Sequence, residues 1–429
     1  MISKRYTDYK EVTSYDYVNK IPVDWELLPN IALFDERVVK NNVGEELLSV
    51  TIGKGIIKQK DVKIKKDSSN EDKSNYKLVE CGDIAYNKMR MWQGAVGYSK
   101  FRGIVSPAYI VLKPKTKINS IFFHYLLRTD YFNNYVRRFS YGLCDDQLNL
   151  RYKDFKRMYS IVPPLPSQTK IAEYLDRKQK QAKNYIAKQH KMIELLKEQK
   201  KAIINQAVTK GLNPNVKMKD SGVEWLGEIP EHWEISKAKY MCYKIGDGIH
   251  STPIYTDNEK YFFINGNNLE NGKIIIQKKT RSVGINELKK YNISFSEDTI
   301  LISINGTIGN IAFYQGEQII LGKSAAYLSF KKGINKYYFF YFLQSISVQN
   351  YFADGLFGTT ISNLSLDRLR KTPMLFPDIE EQNQIVEFIE SKTSIIDSAI
   401  SKAEEEIKLS KEYLESLIFN VVTGQICVE

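Results

Sequence analysis

The sequence predicts an α/β (α+β) protein with two similar domains of mixed β-sheet, separated by two long antiparallel helices that form a coiled coil. Three observations lead to this fold class. The chain repeats itself, each copy ends in a long run of helical periodicity, and the middle of each copy mixes strand-like and helix-like segments. The 429 residues, 43% of them hydrophobic, are enough for two or three domains with cores of their own.

The internal repeat, predicted to be pseudo-two-fold, is strongest at the two ends of each copy. Residues 21–26 (Ile-Pro-Val-Asp-Trp-Glu) recur as residues 229–234 (Ile-Pro-Glu-His-Trp-Glu), and residues 163–209 match residues 377–423 without an insertion. Between these blocks the copies diverge. A nearly constant frame that holds two variable inserts is typical of recognition modules, because a duplicated enzyme is expected to keep its chemistry in both copies.

The uninterrupted blocks are predicted to be long helices. Apolar residues follow three-and-four spacing through both blocks, and about 42 residues at 1.5 Å each give a helix on the order of 60 Å long. Ser167 and Asp378, each after a proline, are expected to cap the helix starts, and Gly211 and Gly424 follow the helix ends. Helices of this length are expected to have a partner along them.

Charge indicates the partner of each helix. Residues 167–209 contain ten Lys or Arg and four Asp or Glu, whereas residues 381–423 contain four and nine. The resulting net charges of +6 and −5 favour pairing of the two helices with each other. If a pseudo-two-fold axis relates the two repeats, the helices are antiparallel and the inserts lie at opposite ends. The alternative is two independent, solvated helices whose charge bias has no structural meaning.

Each insert contains both types of secondary structure. Residues 110–112 and 299–304 are β-type runs, and residues 337–343 form an aromatic-rich helical stretch, so we expect a twisted sheet in each insert. The predicted boundaries are residues 1–20 for an N-terminal segment that completes the constant frame, 21–163 for the first insert, 164–210 for the central helix, 211–228 for a linker, 229–376 for the second insert, and 377–429 for the C-terminal helix and tail.

The N-terminal segment echoes the linker, with Thr13 opposite Ser221 and Tyr17 opposite Trp225. This echo predicts that the N-terminal segment lies beside the end of the second long helix, as the linker lies beside the end of the first. Each long helix would then be closed by the same kind of segment.

The composition indicates a cytoplasmic protein with a polyanionic partner. The chain begins without the apolar run of a signal peptide and has no stretch approaching the roughly 18 apolar residues of a membrane span. Cys81, Cys144, Cys242 and Cys427 are far apart and are expected to be free thiols. The net charge of +12 lies mostly on the inserts and fits nucleic acid, although nonspecific adhesion explains a basic charge equally well.

Several of these motifs resemble those of the specificity (S) subunit of Type I restriction-modification systems, the HsdS family. The resemblance spans nearly the whole chain. It is most specific at residues 209–212 (Thr-Lys-Gly-Leu) and 219–234, which look like the family's link from the first long helix into the second target-recognition domain. Residues 163–168 and 377–382 resemble the two helix openings, and residues 87–94 resemble part of the first target-recognition domain.

The resemblance implies a noncatalytic subunit that binds double-stranded DNA at a bipartite asymmetric site. Each insert would read one half of the site, and the helices would set the gap between the halves. The chain would also scaffold two methyltransferase (M) subunits and motor-nuclease (R) subunits. S-adenosylmethionine and ATP with Mg²⁺ are then expected only on those partner subunits, with no cofactor or metal in this chain.

Base-reading side chains are expected to be arginine and lysine for guanine, and asparagine and glutamine for adenine. The candidate DNA-binding residues of the first insert are Lys54, Lys88, Arg90, Gln93, Arg102, Gln147, Asn149 and Arg151, with Arg137 and Arg138 suited to phosphate contacts. Those of the second insert are His250, Thr252, Asn265, Asn267, Asn268, Asn305, Lys323 and Asn363. For each residue the alternative is a solvated side chain or a turn former.

No catalytic site is predicted. The sequence lacks a glycine-rich methyl-donor loop, an Asn-Pro-Pro-Tyr or Asp-Pro-Pro-Tyr tetrapeptide and a nucleotide-binding loop, and its four histidines form no ligand cluster. Two other functions stay open at this point. One is a helical adaptor without sequence-specific DNA binding, and the other is a nuclease with an unrecognised metal-dependent site.

Overall fold

A computed structural model describes residues 5–12, 18–62, 72–257, 260–354 and 363–428, except for the side chain of Asp146. By its contacts the chain divides into two compact units, the first of residues 1–189 with 404–429 and the second of residues 190–403. Each unit contains one insert and part of each long helix. Thr13 and Tyr17 lie outside the described residues.

The first unit consists mainly of short strands and short helices. Its strands are β1 (Tyr9–Glu11), β2 (Lys20–Pro22), β3 (Glu26–Pro29), β4 (Phe34–Glu36), β5 (Leu48–Thr51), β6 (Gly55–Lys58), β7 (Lys77–Val79), β8 (Ile84–Asn87), β9 (Val96–Tyr98), β10 (Gly103–Val105), β11 (Tyr109–Pro114) and β12 (Tyr159–Val162). Its helices are α1 (Asn30–Leu33), α2 (Ser120–Leu126), α3 (Asp130–Phe139), α4 (Tyr152–Phe155), the first part of α5 (Leu165–Lys210), and 3-10 helices at Gln59–Asp61, Met91–Gln93 and Asp145–Gln147.

The centre of the first unit is a four-stranded antiparallel sheet with the order β4-β11-β8-β9. Strand β11 contains the predicted run at residues 110–112. Strand β5 forms a hairpin with β6, β7 pairs with β10, and β3 pairs with β12. The fully buried rings of Phe34, Phe123 and Phe155 belong to the same core as strands β8 and β11. Burial of such rings supplies much of the hydrophobic stabilisation of a domain.

The second unit repeats this plan with additional strands. Its strands are β13 (Met218–Asp220), β14 (Glu228–Pro230), β15 (Glu234–Lys237), β16 (Cys242–Asp247), β17 (Tyr255–Thr256), β18 (Tyr261–Ile264), β19 (Leu269–Glu270), β20 (Lys273–Ile274), β21 (Ser282–Val283), β22 (Thr299–Ser303), β23 (Ile311–Phe313), β24 (Ile319–Leu321), β25 (Ala325–Phe330) and β26 (Pro373–Phe376). Its helices are α6 (Ala238–Met241), α7 (Ile285–Lys290), α8 (Lys336–Gln344), α9 (Ile346–Asp354), α10 (Leu366–Lys371), the first part of α11 (Ile379–Val422), and a 3-10 helix at Gly266–Asn268.

The sheet order β16-β25-β22-β23 in the second unit corresponds to that of the first. A second sheet, β17-β21-β18-β24, contains the parallel pair β18 and β24, so the predicted mixed sheet is confirmed there. In the first unit the named strands pair only antiparallel within the described residues. The aromatic stretch at residues 337–343 lies in α8, whose first turn is capped by the Asn335 side chain.

The two long helices run antiparallel within each unit, as predicted. In the first unit Leu175 shares a core with Leu417, and Tyr185 donates a hydrogen bond to Glu406 (2.6 Å). Residues later in α5 therefore contact residues earlier in α11. In the second unit Lys200 pairs with Asp397 at 2.7 Å. The predicted complementarity between a basic α5 and an acidic α11 is therefore present as an ion pair in the second unit, whereas the first-unit hydrogen bond joins a neutral tyrosine to a carboxylate.

The helix ends agree with prediction except at the start of α5. Asp378 Oδ1 accepts the backbone N–H of Glu381 at 2.8 Å, as expected of a cap. Helix α5 begins at Leu165, so Ser167 lies inside its first turn and the predicted cap at Ser167 is wrong. Pro166, at the second position of α5, is compatible with this earlier start, because the N–H groups of the first helical turn have no partner within the helix. Gly211 and Gly424 both have φ +75°, the left-handed conformation of helix ends.

The described part of the N-terminal segment lies beside the end of α11, as predicted. Tyr9 donates a hydrogen bond to the carbonyl oxygen of Gly424 (2.9 Å), and Gln425 donates to that of Lys20 (3.3 Å). In the second unit Lys210 donates to the carbonyl oxygen of Glu228. The hairpins β1–β2 and β13–β14 thus occupy corresponding places at the ends of the two long helices.

The two copies differ at their buried tryptophans. The Nε1 of Trp233 donates to Glu381 Oε2 (2.9 Å), which also lies 2.9 Å from His232 Nε2. The Nε1 of Trp25 is buried without a partner, and Ser167 stands in the sequence where the second copy has Glu381. The carboxylate therefore satisfies a donor in only one copy.

Replacing Glu381 by alanine is expected to lower the free energy of unfolding by about 1 to 3 kcal/mol, because the Trp233 N–H loses its acceptor while staying buried. Urea unfolding of the full chain measures this loss, and Glu381→Gln should recover most of it because its amide oxygen can still accept. Ser167→Ala is the matched control, for which we expect a change within about 0.5 kcal/mol. Equal losses for Glu381→Ala and Ser167→Ala would contradict this role of the carboxylate.

Candidate nucleic-acid interface

Strand β8 ends at Asn87, and the turn that follows carries three candidate residues of the first insert. The Asn87 side chain accepts the backbone N–H two residues further on (3.0 Å), which fixes the start of the turn. Gly94 closes the turn with φ +79°, a conformation in which glycine avoids the usual steric penalty. Lys88, Arg90 and Gln93 lie between these points, and Arg90 donates a hydrogen bond to Gln93 (3.1 Å). The turn therefore presents a guanidinium and an amide side by side.

Residues 141–149, called here the 141–149 loop, form a closed loop between α3 and α4. Two backbone hydrogen bonds join Tyr141 and Asn149, with lengths of 3.1 and 2.9 Å. Gly142 is needed inside the loop, because a Cβ there would lie 2.7 Å from the carbonyl oxygen of Gln147. The Arg151 guanidinium lies 5.1 Å from the centre of the Tyr141 ring. Gln147, Asn149 and Arg151 are thus held close together.

The 141–149 loop lies against the turn that follows β8. Leu150 N donates to the carbonyl oxygen of Lys88 at 2.7 Å. The Arg137 guanidinium lies 5.3 Å from the centre of the Trp92 ring and forms an ion pair with Asp145. Most candidate residues of the first insert, including Arg137, therefore share one surface, which we call the first cluster.

A cavity of about 330 Å³ opens within the first cluster. Its lining includes amide, hydroxyl, guanidinium and aromatic groups, contributed by Gln59, Asn87, Arg90, Trp92, Gln93 and Tyr109. Burial raises the pKa of Tyr109, so its hydroxyl stays protonated and can donate. These groups can bond to base edges or stack on bases.

Lys54 and Arg102 are not brought into the first cluster. Arg102 lies just before β10 and pairs with Glu45 (2.8 Å) and Glu80 (2.6 Å), while Ser106, beyond the other end of β10, lines the cavity. Lys54 lies in the turn of the β5–β6 hairpin, at the end away from the cavity-lining part of that hairpin. Arg102 and Lys54 therefore lie at the ends of β10 and of the β5–β6 hairpin that point away from the cavity.

In the second unit a corresponding cluster forms beyond the end of β22, which we call the second cluster. Asn305 donates from its side chain to the carbonyl oxygen of Lys323 (3.2 Å) and forms a backbone bridge with Asn363. Next to Lys323, the Ser324 hydroxyl donates to the Asn265 side chain (2.9 Å). Four predicted residues are therefore brought together, and Ser324 joins them.

The remaining candidates of the second insert differ in their surroundings. Asn267 is exposed beside the second cluster, whereas Asn268 is buried and donates from its side chain to the carbonyl oxygen of Ile275 (3.0 Å). Asn268 therefore has a structural role in this arrangement. His250 is exposed and bonds to Asp247 (2.9 Å) in the loop that crosses the end of β24, and Thr252 is exposed further along that loop.

Backbone hydrogen bonds show that the two clusters are structurally equivalent. Leu150 N donates to Lys88 O in the first unit (2.7 Å), and Leu364 N donates to Ile304 O in the second (2.8 Å). The same backbone framework therefore carries different side chains. Arginine and glutamine are prominent in the first cluster, whereas asparagine predominates in the second.

Trp92 and Ser324 belong to these clusters but were not among the predicted DNA-binding residues. Trp92 lies within the turn after β8, and Ser324 directly follows the predicted Lys323. Their closeness in sequence to predicted residues was the one feature that could have indicated their place in the clusters. Within the described ranges no group of three or more His, Cys, Asp or Glu side chains could hold a metal ion. No helix in that part of the chain is both long and apolar enough to cross a membrane.

Comparison with known proteins identifies the family to which this chain belongs. A family model for the type I restriction modification DNA specificity domain matches residues 42–196 and 230–409. The chain is 23% identical over 426 residues to the specificity subunit of the type I restriction enzyme MjaVIII from Methanocaldococcus jannaschii. That match covers 95% of this chain and 89% of the relative.

Solved structures show the same fold. A chain from a structural study of complex assembly and conformational transition of the type I R-M system matches with a TM-score of 0.72 and 12% identity, over 95% of this chain and all of that one. The HsdS subunit from Thermoanaerobacter tengcongensis matches with a TM-score of 0.57 and 13% identity, over 95% of this chain and 98% of that one. At such identities the likeness concerns the fold. Because the family model spans most of both copies of the repeat, the chain belongs to the type I restriction modification DNA specificity family.

Proposed function

We propose that this chain is the sequence-specific DNA-binding specificity subunit of a type I restriction-modification complex, in which each insert reads one half of a bipartite asymmetric site. The observation that carries the proposal is the pair of equivalent clusters with different side chains, beyond the ends of β8 and β22. Equivalent frameworks with different reading groups suit two half-sites of different sequence. The helical adaptor without sequence-specific binding gives no reason for this difference.

Side-chain chemistry suggests how the halves differ. Arg90 and Gln93 in the first cluster suit bidentate contacts with guanine and adenine, whereas the asparagines of the second cluster suit adenine. Arg137 and Arg138 would contact phosphates, which position the protein without specifying sequence. Lys54 belongs to this proposal as a contact outside the first cluster, and Arg102 would have to leave its two carboxylate partners.

In this proposal the chain is a noncatalytic scaffold. The antiparallel helices would set the gap between the half-sites and hold two methyltransferase subunits, and motor-nuclease subunits would join the restricting complex. The partner subunits would bind S-adenosylmethionine and ATP with Mg²⁺. The name of the M. jannaschii relative, a specificity subunit of a restriction enzyme, supports this assignment. The assembly would work in the cytoplasm, where the host DNA lies.

Exchange of one insert is expected to change one half of the methylated motif. The chain is expressed with its neighbouring methyltransferase, and the host methylome is sequenced before and after residues 21–163 are replaced by the corresponding insert of a related subunit. Modified bases should define a bipartite motif, of which only one half changes after the exchange. The matched exchange of residues 229–376 should change only the other half.

Assembly is checked in parallel by copurification of each hybrid with the methyltransferase. A motif that stays unchanged after both exchanges, or no motif although the complex forms, would favour the helical adaptor over the proposed function. Cleavage of DNA by the isolated chain with Mg²⁺ would instead favour the nuclease.

A further inference from the structure

The two most exposed large hydrophobic side chains among the described residues lie in the 141–149 loop. Leu143 is 100% exposed and Tyr141 is 72% exposed. Single exposed apolar residues are common on protein surfaces. Two such residues in one short loop, beside the first cluster, instead indicate a contact surface.

The loop holds Leu143 in a defined position. The hydrogen bonds between Tyr141 and Asn149 close its base, and residues Asp145–Gln147 of the loop form a 3-10 helix. Gly142 packs against the Gln147 carbonyl so closely that a larger residue would clash. Because the backbone is already ordered, inserting Leu143 into a partner would cost less conformational entropy than inserting a residue from an open loop.

Arginines lie near the base of this loop, and Asp145 within the loop pairs with one of them. Arg151 lies over the Tyr141 ring, and Arg137 packs on Trp92 at the foot of the loop with its charge shared with Asp145. Arg138 is exposed on the same helix as Arg137. An apolar tip on a loop with guanidinium groups near its base suits a partner with phosphates on its outside and stacked apolar surfaces inside, which describes a DNA duplex.

We propose that Leu143 is a wedge that enters the base stack at or directly beside the half-site read by the first insert. The proposal rests on the proposed function and adds a mode of DNA deformation to it. Apolar wedges partly unstack a base step and kink the duplex, and the kink brings more of the protein surface into contact with the backbone. Arg138 and Arg151 would bind the phosphates that flank the opened step. A protein partner is the less suitable occupant because the loop adjoins the first cluster, which carries the candidate base-reading side chains and the exposed Arg138 and Arg151.

The test uses the full chain copurified with its methyltransferase and a duplex of about three helical turns that contains the methylome-defined site. 2-Aminopurine is placed in turn at each adenine of the first half-site and its flanks, and dyes at the duplex ends report bending. With the wild-type chain we expect a several-fold rise in 2-aminopurine fluorescence at one step, together with a bend.

Leu143→Ala is expected to weaken binding about tenfold and to abolish both the fluorescence rise and the bend. Its folding should be unaffected because the side chain is fully exposed. Leu143→Met keeps an apolar wedge and should retain both signals. Val43→Ala, which truncates a side chain that is 59% exposed elsewhere in the first unit, is the matched control and should behave as wild type.

Three results would overturn the wedge. Identical DNA binding and bending by Leu143→Ala and the wild type would contradict the proposal. A loss that is reproduced by replacing one thymine with deoxyuridine, without any bend in the wild type, would make Leu143 a reader of a thymine methyl group. Failure of Leu143→Ala to copurify with the methyltransferase would place the loop on that protein. Failure of the proposed function is distinct, since the wild-type complex would then have no sequence-specific site.

Discussion

Replacing Gly248 by alanine is expected to destabilise the second unit by about 3 kcal/mol. A Cβ at this position would lie 2.2 Å from the carbonyl oxygen of Leu321 and 2.4 Å from that of Gly322. Both are backbone atoms, so the clash is relieved only by moving the loop away from the end of β24. That movement would break the hydrogen bonds from Gly248 N to Ala325 O (3.1 Å) and from Ile249 N to Leu321 O (2.8 Å).

The measurement is urea unfolding of the full chain, with the methylome as a second readout. Because the same loop carries His250 and Thr252, Gly248→Ala should also erase methylation that depends on the second half-site. Gly53→Ala is the matched control, since a Cβ there meets nothing within 4 Å, and it should shift stability by no more than about 0.5 kcal/mol. Wild-type stability in Gly248→Ala would mean that the loop does not pack on β24 as described.

His124 is expected to make the first unit lose stability in acid. Its ring lies between those of Tyr98 and Tyr125, at centroid distances of 5.5 and 5.4 Å, and its Nδ1 is buried without a hydrogen-bond partner. Burial, followed by the positive charge of Arg128, lowers the pKa of His124 from 6.5 to about 3. The folded state therefore keeps this histidine neutral at pH values where the unfolded chain protonates it.

The sign of the effect follows from which state binds the proton. Above pH 6.5 the imidazole is neutral in both states, and stability is at its full value. As the pH falls from 6.5 towards 3, the unfolded chain gains the proton first, so the free energy of unfolding decreases. At pH 5 the loss attributable to His124 reaches up to about 2 kcal/mol.

His124→Phe is expected to remove this part of the acid sensitivity. The second copy has Phe340 at the corresponding place in the repeat, so an aromatic ring without a titrating group is compatible with the fold. Urea unfolding is compared between variant and wild type at pH 7.5 and at pH 5, where the variant should lose up to about 2 kcal/mol less. His190→Gln, at an exposed position of α5, is the control. Equal losses in wild type and His124→Phe would show that His124 is not held neutral.

Much of the fold could be predicted because its signals are local. Three-and-four spacing identified α5 and α11, and the β-type run at residues 299–304 became β22. The predicted start of α5 was wrong because the sequence Pro-Ser is compatible both with a position just before a helix and with a position inside its first turn. The local sequence does not distinguish the two positions. The duplication itself predicted two similar domains, since two segments of one length and frame are expected to fold alike.

The candidate clusters could be predicted only in part, because residue type does not determine where a side chain lies. Arg102 and Ser106 are close in sequence, yet β10 carries them to opposite ends, and only Ser106 reaches the cavity. Asn267 and Asn268 are adjacent, but the 3-10 helix exposes the first and buries the second. No local pattern distinguished the members of either pair.

The sequence by itself determined the repeat, the long charged helices, the element types and the family, since each follows from periodicity, composition or motif. Tertiary structure alone decided which polar side chains meet, that Trp25 lacks the acceptor Trp233 has, and that Leu143 projects fully exposed from a closed loop. The physical reason is that side-chain position depends on strand pairing and loop closure between residues far apart in the chain. Local spacing sets only the type of element and the face on which a residue lies.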